Sequence, residues 1–337
     1  MKEALLYDKG DGERVRCRLC PHRCTIADGK RGICGVRENR GGKLYSLVWG
    51  RPCALHVDPI EKKPLYHFLP GSVSYSIATV GCNLRCQHCQ NWEISQMPKA
   101  GGNVEGDEVL PEEVVQGALG SGCASISYTY TEPTVYMEYA LDTSKLASDK
   151  GLKNVFVSNG YMTEDAIELI SPHLHADNVD LKAFTDRFYR EVCGASLEPV
   201  LSTLKSLVKR RVWVEVTTLL IPSLNDSPDE LKQIAEFIRG ELGDFVPWHV
   251  SRFHPDYKMD NIPHTDMRTI QKAADIGREA GLKYVYAGNV PHGDYENTYC
   301  PKCGELLIER NGFSVTMKRI SAGRCGKCKN AIEGVWT

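Results

Sequence analysis

The chain has 337 residues, 42% hydrophobic and 25% charged, with 41 basic against 43 acidic side chains and a net charge of −2. That is enough apolar material for a sizeable core in one large domain with appendages or in two domains. The near-neutral balance argues against an extended nucleic-acid or anionic-membrane surface.

The N-terminus, Met1-Lys2-Glu3-Ala4-Leu5-Leu6, lacks the apolar stretch of a signal peptide, and no apolar run reaches bilayer length. A cytoplasmic protein with no membrane partner is therefore expected. Fourteen cysteines are the unusual feature. Eleven fall in three groups, while Cys53, Cys123 and Cys193 stand alone. In a long chain without a secretion signal, clustered C-x2-C pairs point to metal rather than to disulfides.

Residues 1–72 read as a Cys-rich appendage. Cys17, Cys20, Cys24 and Cys34 give C-x2-C-x3-C-x9-C, and glycines at 29, 32 and 35 allow the tight turns that gather thiolates. Four cysteines suit a closed tetrahedral zinc site and suit an accessory iron–sulfur cluster equally, so zinc and a second cluster both stay open. His22 is a weaker candidate ligand. Residues 43–49 read as a strand. The proline-rich segment from Asp58 to Pro70 reads as an ordered loop leading into the main domain.

Residues 73–292 read as the main domain, in which short β-branched runs alternate with helical patterns. Strands are expected at 75–80, 124–129, 154–158, 177–182, 212–219, 246–251 and 283–287. Helices are expected at 111–120, 134–149, 163–171, 196–210, 228–240 and 265–280. Thr163 and Ser227-Pro228 read as helix starts. Such units build an α/β fold with a parallel sheet, either a partial barrel or a doubly wound sheet, with sites at the C-terminal strand ends. After the first strand come Cys82, Cys86 and Cys89, spaced C-x3-C-x2-C. Three thiolates hold three irons of a [4Fe–4S] cluster and leave the fourth iron open.

Residues 293–337 form a second appendage. Cys300, Cys303, Cys325 and Cys328 give C-x2-C-x21-C-x2-C, and Asn311-Gly312 between them marks a hairpin. Two such knuckles read as a zinc ribbon. Few aromatics and mixed charge favour a structural role over nucleic-acid reading.

The three-cysteine loop after a first strand resembles the signature of radical S-adenosylmethionine (SAM) enzymes. Its surroundings resemble the activating-enzyme branch, most closely the radical SAM member of the AmmeMemoRadiSam system. The resemblance runs through nearly the whole chain to residue 292. It implies a partial (β/α)6 barrel and a [4Fe–4S] cluster on Cys82, Cys86 and Cys89 that binds SAM at its open iron. His88 stands where the family usually has an aromatic residue against the adenine. Tyr130-Thr131-Glu132-Pro133 resembles the family's Gly-Gly-Glu motif with both glycines replaced, so Glu132 is expected at the cofactor's amino group. Asn159 suits ribose hydroxyls.

Asp180 and Lys182 share one face of strand four and are expected beside the cofactor, with a mutual ion pair as the alternative. Thr217 or Thr218 is expected near it, with Thr217 preferred. His249 is expected against it, in a cluster with Arg252 and His254. Asn289–Asp294 is expected to complete the mouth.

The implied chemistry is reductive cleavage of SAM to methionine and a 5′-deoxyadenosyl radical that abstracts hydrogen from a substrate. The implied partners are an electron donor, flavodoxin or ferredoxin, and either a glycyl-radical protein substrate or Memo-like and AMMECR-like proteins. Two other classes remain: an iron–sulfur electron carrier, and a zinc-bearing nucleic-acid-binding protein, each without SAM chemistry.

Overall fold

The structure is a computed structural model that describes residues 1–100, 102–290 and 294–337. Seven parallel strands run in strictly sequential order through one sheet. They are β1 (Val73–Ala78), β2 (Ser125–Tyr128), β3 (Lys153–Ser158), β4 (Ala176–Asp180), β5 (Trp213–Leu220), β6 (Trp248–Arg252) and β7 (Val285–Gly288). A helix follows each of the first six: α1 (Pro111–Gly120), α2 (Met137–Asp149), α3 (Glu164–Ile170), α4 (Glu198–Lys209), α5 (Pro228–Phe237) and α6 (Met267–Glu279). A doubly wound sheet reverses its strand order at a switch point. This sheet never reverses, so it is a partial (β/α)6 barrel with β7 as a flanking strand.

Local chemistry explains the elements. The Thr163 hydroxyl accepts from the Ala166 N–H at 3.3 Å, and the Ser227 hydroxyl from the Glu230 N–H at 3.3 Å, capping α3 and α5. All four residues of β2 are buried, as expected for a strand covered on both faces. Ser127 and Ser125 hydrogen-bond Ser74 of β1 at 2.5 and 2.8 Å, forming a small buried polar cluster that starts at the N-terminal ends of these strands.

An eighth strand, Ala54–Pro59, pairs antiparallel with β1. Asp58–Pro70 was expected to be loop only. Edge position leaves His56 and Val57 exposed, so no apolar alternation marks this strand. The turn Ile60–Lys62 follows it.

The first 52 residues fold into two small antiparallel sheets. Arg37 ties them to α2: its guanidinium holds both carboxylate oxygens of Glu138 at 2.7 and 2.8 Å, and both side chains are almost fully buried. The C-terminal sheet (Thr298–Tyr299, Leu306–Asn311 and Ser314–Lys318) is tied down by Arg310. That guanidinium lies 4.1 Å from the centre of the Tyr66 ring and 3.8 Å from Glu61, and donates to the Tyr66 carbonyl at 2.8 Å. Among the described residues, no helix is long and apolar enough to cross a membrane.

Candidate active site

A cavity of about 460 Å³ opens at the C-terminal strand ends. Cys82, Cys86, His88 and Cys89 line it from the loop after β1, Glu132 from the turn after β2, and Asn159 from the turn after β3. Asp180 and Lys182 line it at the end of β4, Thr217 from β5 and His249 from β6. Sequential strand order brings these ten side chains together, since each βα loop opens on the same end of the barrel.

The cysteine loop is held by its neighbours. The Leu84 N–H points at Cys82 Sγ at 3.3 Å, the Asn159 amide lies 3.7 Å from the same sulfur, and the Ser95 hydroxyl lies 3.3 Å from Cys89 Sγ. Cys193, read as a lone residue, sits against Cys86. That contact and burial push the Cys86 thiol well up, and burial also raises Cys82 and Cys89. Thiolates form here when a metal takes the proton's place.

Among the described residues, only Cys300, Cys303, Cys325 and Cys328 have ligating atoms all within 4.8 Å of one another. The thiols of Cys82, Cys86 and Cys89 are spread wider than a single-ion shell. That suits a four-iron cube, where each thiolate reaches its own iron.

Glu132 caps the short turn Pro133–Tyr136. It accepts from the Thr134 hydroxyl at 2.5 Å, the Thr134 N–H at 3.1 Å and the Asn159 N–H at 2.8 Å. Burial nevertheless pushes its carboxyl up to about 7. Tyr130 stands in the left-handed region (φ 63°), a conformation glycine enters without cost. Its hydroxyl donates to Asp58, and Asn91 donates to its carbonyl at 2.8 Å. These contacts hold a glycine-like backbone on a tyrosine.

Asn159 spends its amide on the loop: Nδ2 donates to Asn83 Oδ1 at 2.8 Å, and Oδ1 accepts the Tyr161 N–H at 2.9 Å. Lys182 Nζ lies 2.8 Å from Asp180 Oδ2. Burial disfavours that ammonium, but Asp180 outweighs it and holds the lysine charged. His88 is buried, and burial pulls its imidazole down to about 3. Its Nδ1 has no hydrogen-bond partner among the described residues.

Strand alternation separates the remaining candidates. Thr217 faces the cavity and donates to Asn178 at 2.8 Å; Thr218 points away and donates to the Leu181 carbonyl at 2.9 Å. His249 is fixed by Glu215 at 2.6 Å. Glu215 also accepts the N–H groups of Tyr66 and His67 at 3.0 and 2.7 Å and the Trp213 indole N–H at 3.0 Å, which pins the loop before β1 to the barrel. The expected cluster of His249 with Arg252 and His254 is not formed as one patch on the cavity. Arg252 donates to the Thr265 carbonyl and His254 meets Gln90, so of the three only His249 lines the cavity. Asn289 lines it too; Pro291, His292 and Gly293 lie outside the described residues.

Three contributors were not read from the sequence. Lys63 reaches the cavity from the loop before β1, paired with Asp58 at 2.6 Å and lying 4.6 Å from the Tyr130 ring centre. Burial pulls its ammonium down to about 8. Tyr66 forms part of the wall. Phe313, at the ribbon's hairpin tip, lines the rim and is 48% exposed. An aromatic directly after Asn-Gly was the available signal for it.

Three thiols on the floor of an open barrel, under a cavity of cofactor size, define an enzyme that works through an iron–sulfur cluster and a small bound cofactor. The Radical SAM superfamily matches residues 76–238. The chain is 48% identical over 335 residues to an uncharacterized protein of Methanocaldococcus jannaschii, covering 99% of each. It is 25% identical over 213 residues to the pyruvate formate-lyase-activating enzyme of Clostridium pasteurianum, covering 57% of this chain and 84% of that one. A radical SAM methyltransferase from Sphaerobacter thermophilus shares the fold, with a TM-score of 0.52 at 16% identity over 65% of this chain and 67% of that one. The chain belongs to the radical SAM superfamily. Within it, the chain is a radical SAM enzyme of the activating-enzyme-like kind.

Proposed function

We propose that the cavity binds SAM over a [4Fe–4S] cluster held by Cys82, Cys86 and Cys89, and that the radical made there abstracts hydrogen from a partner protein. The observation that carries this reading is the convergence of three widely spaced thiols and seven strand-end side chains on one cavity of about 460 Å³. When bound, the cluster supplies the electron that breaks a sulfur–carbon bond of SAM.

The chain's residues bind and orient. Glu132, ionised, accepts from the ammonium of SAM. His88 offers a neutral ring and a free Nδ1 to the adenine. Asn159 and Thr217 face the ribose, and Asp180 with Lys182 closes the polar side. His249 is locked by Glu215, so it presents a fixed wall. Phe313 and Tyr66 flank the mouth through which a protein segment reaches the cofactor.

The reductant is a flavodoxin or ferredoxin. The partner is a glycyl-radical protein, as the name of a relative from Methanocaldococcus jannaschii, a putative glycyl-radical enzyme activating enzyme, suggests, with Memo-like or AMMECR-like proteins as the other class. The ribbon's cysteines hold zinc: their sulfurs lie 3.6 and 3.8 Å apart in pairs, matching a tetrahedron built on Zn–S bonds of about 2.3 Å.

Equilibrium dialysis of SAM against cluster-loaded protein tests the site. Glu132→Gln and Asp180→Asn should each weaken binding by about tenfold, roughly the worth of one charged hydrogen bond, at unchanged iron content. Wild-type affinity in both variants refutes the cavity as the SAM site.

A further inference from the structure

One wall of the cavity carries a positive charge that nothing cancels. Lys63, 1% exposed, lines the cavity beside Lys62. Its Nζ donates to Asp58 Oδ2 at 2.6 Å, and Asp58 is its one hydrogen-bond partner among the described residues. Two of the three ammonium N–H groups make no hydrogen bond there, and the Tyr130 ring, centred 4.6 Å from Nζ, covers one side. Lys62 Nζ lies 2.8 Å from Oδ1 of the same carboxylate, and its side chain is 43% exposed. The pair therefore runs from the interior of the barrel to solvent.

Asp58 is fully engaged. Lys62 holds one oxygen, and Lys63, Tyr130 and Ser76 donate to the other. Burial disfavours the charged carboxylate, but these four donors outweigh it and hold the group well below the usual carboxylate range, so it stays ionised. One carboxylate thus serves two ammonium groups. The charged groups within electrostatic reach of Lys63 are Asp58 and Lys62. The other acids of the cavity are committed elsewhere: Glu61 faces Arg310 at 3.8 Å, Asp180 pairs with Lys182, and Glu296 lies by Tyr66. Burial pulls the Lys63 ammonium down to about 8 in spite of Asp58, as expected of a buried cation that is under-compensated.

The surplus charge also stands apart from the cysteine loop. Asp58 pairs with Ser74 near the start of β1, whereas Cys82 follows the end of that strand. From Ser74 to Ala78 the strand rises about 13 Å. Lys182, by contrast, is within electrostatic reach of Cys86. A group bound at Lys62 and Lys63 approaches the cofactor from the side away from the cluster, the side left for a substrate.

We propose that Lys62 and Lys63 form a carboxylate-binding subsite that holds the hydrogen-donating substrate. That this ligand is the substrate rests on the radical SAM reading; the subsite does not. A carboxylate fits because its single negative charge cancels the surplus, whereas a phosphate dianion would bury a negative charge of its own. A small carboxylic acid and an acidic side chain of a partner segment present the same group.

Equilibrium dialysis of cluster-loaded protein, with and without SAM, tests the subsite with two probes. Propionate stands for a free acid, and the capped tripeptide acetyl-Ala-Asp-Ala-amide for an acidic side chain. Saturable binding of at least one is expected, unaffected by SAM, and the tighter of the two names the source. Lys63→Met and Lys62→Gln each remove the surplus, and each should weaken that binding about tenfold at unchanged iron content and SAM affinity. Lys62 is half-exposed, so its variant keeps the test open should Lys63→Met not fold. No saturation by either probe below about 10 mM overturns the subsite, and so does wild-type affinity in both variants. SAM that displaces the probe, or SAM affinity lost together with probe affinity, also overturns it, because the lysines then serve the carboxylate of SAM itself. Lysine-dependent probe binding in protein that binds no SAM leaves the subsite standing and sinks the radical SAM reading.

Discussion

The two appendages carry the same four ligands at different spacings. In the ribbon, hairpin knuckles bring sulfurs to 3.6 and 3.8 Å, and the site closes on itself at the protein surface. In the N-terminal module the thiols stand apart around an apolar space, beside a buried arginine and against the cysteine loop of the barrel. Ligand count alone does not choose between zinc and iron–sulfur.

The largest effect expected on this contrast comes from the barrel loop. Cys86→Ala should reduce SAM cleavage to background and remove the iron at that site, while the zinc proposed for the ribbon is retained; zinc lost together with iron would mean that the sites are not independent.

Each appendage is also anchored by one buried arginine, and the two anchors differ in strength. Arg37→Ala leaves Glu138 charged and uncompensated, at a cost of about 3–5 kcal/mol. Arg310→Ala should cost less, about 2 kcal/mol, because Glu61 is farther off at 3.8 Å and already carries a carboxyl that burial pushes up toward the neutral form. Urea unfolding of both variants checks the order, and a larger loss from Arg310 would reverse the ranking.

The smallest effect is a pH dependence. Burial holds Glu132 up at about 7 in the folded protein against an ordinary value of 4.5. The folded state therefore binds this proton more tightly than the unfolded one. Stability without SAM should fall as pH rises from about 4.5 through about 7, and Glu132→Gln should remove that slope. SAM binding needs the carboxylate, so affinity should rise with pH up to about 7 and level off above it, a trend flattened in Glu132→Gln. Dialysis at several pH values checks this; an affinity that falls as pH rises would contradict it.

Much of this was legible in the chain. Strand–helix alternation put β1–β7 within a few residues of their observed places, phase put Asp180 and Lys182 on one face, and the family resemblance put Glu132, Thr217 and His249 at the cofactor. The local patterns did not fix the strand order, which alone separates a barrel from a doubly wound sheet. They missed Ala54–Pro59, an edge strand half in solvent, because burial there is not periodic.

Lys63, Tyr66 and Phe313 come to the cavity from loops whose destination depends on tertiary contacts, such as Arg310 beneath Tyr66 and Glu215 beneath its backbone. Arg252 and His254 sat close to His249 in sequence, but alternation and the turn after β6 carry them elsewhere. The two four-cysteine motifs look interchangeable as text. Their sulfur spacing exists only in the folded chain.

The most direct test of the central claim is to mix anaerobically reconstituted, dithionite-reduced protein with SAM and measure 5′-deoxyadenosine and methionine. Equal amounts of both are expected from wild type, and neither from Cys82→Ala/Cys86→Ala/Cys89→Ala. Wild type that carries its iron yet forms no 5′-deoxyadenosine would contradict the account.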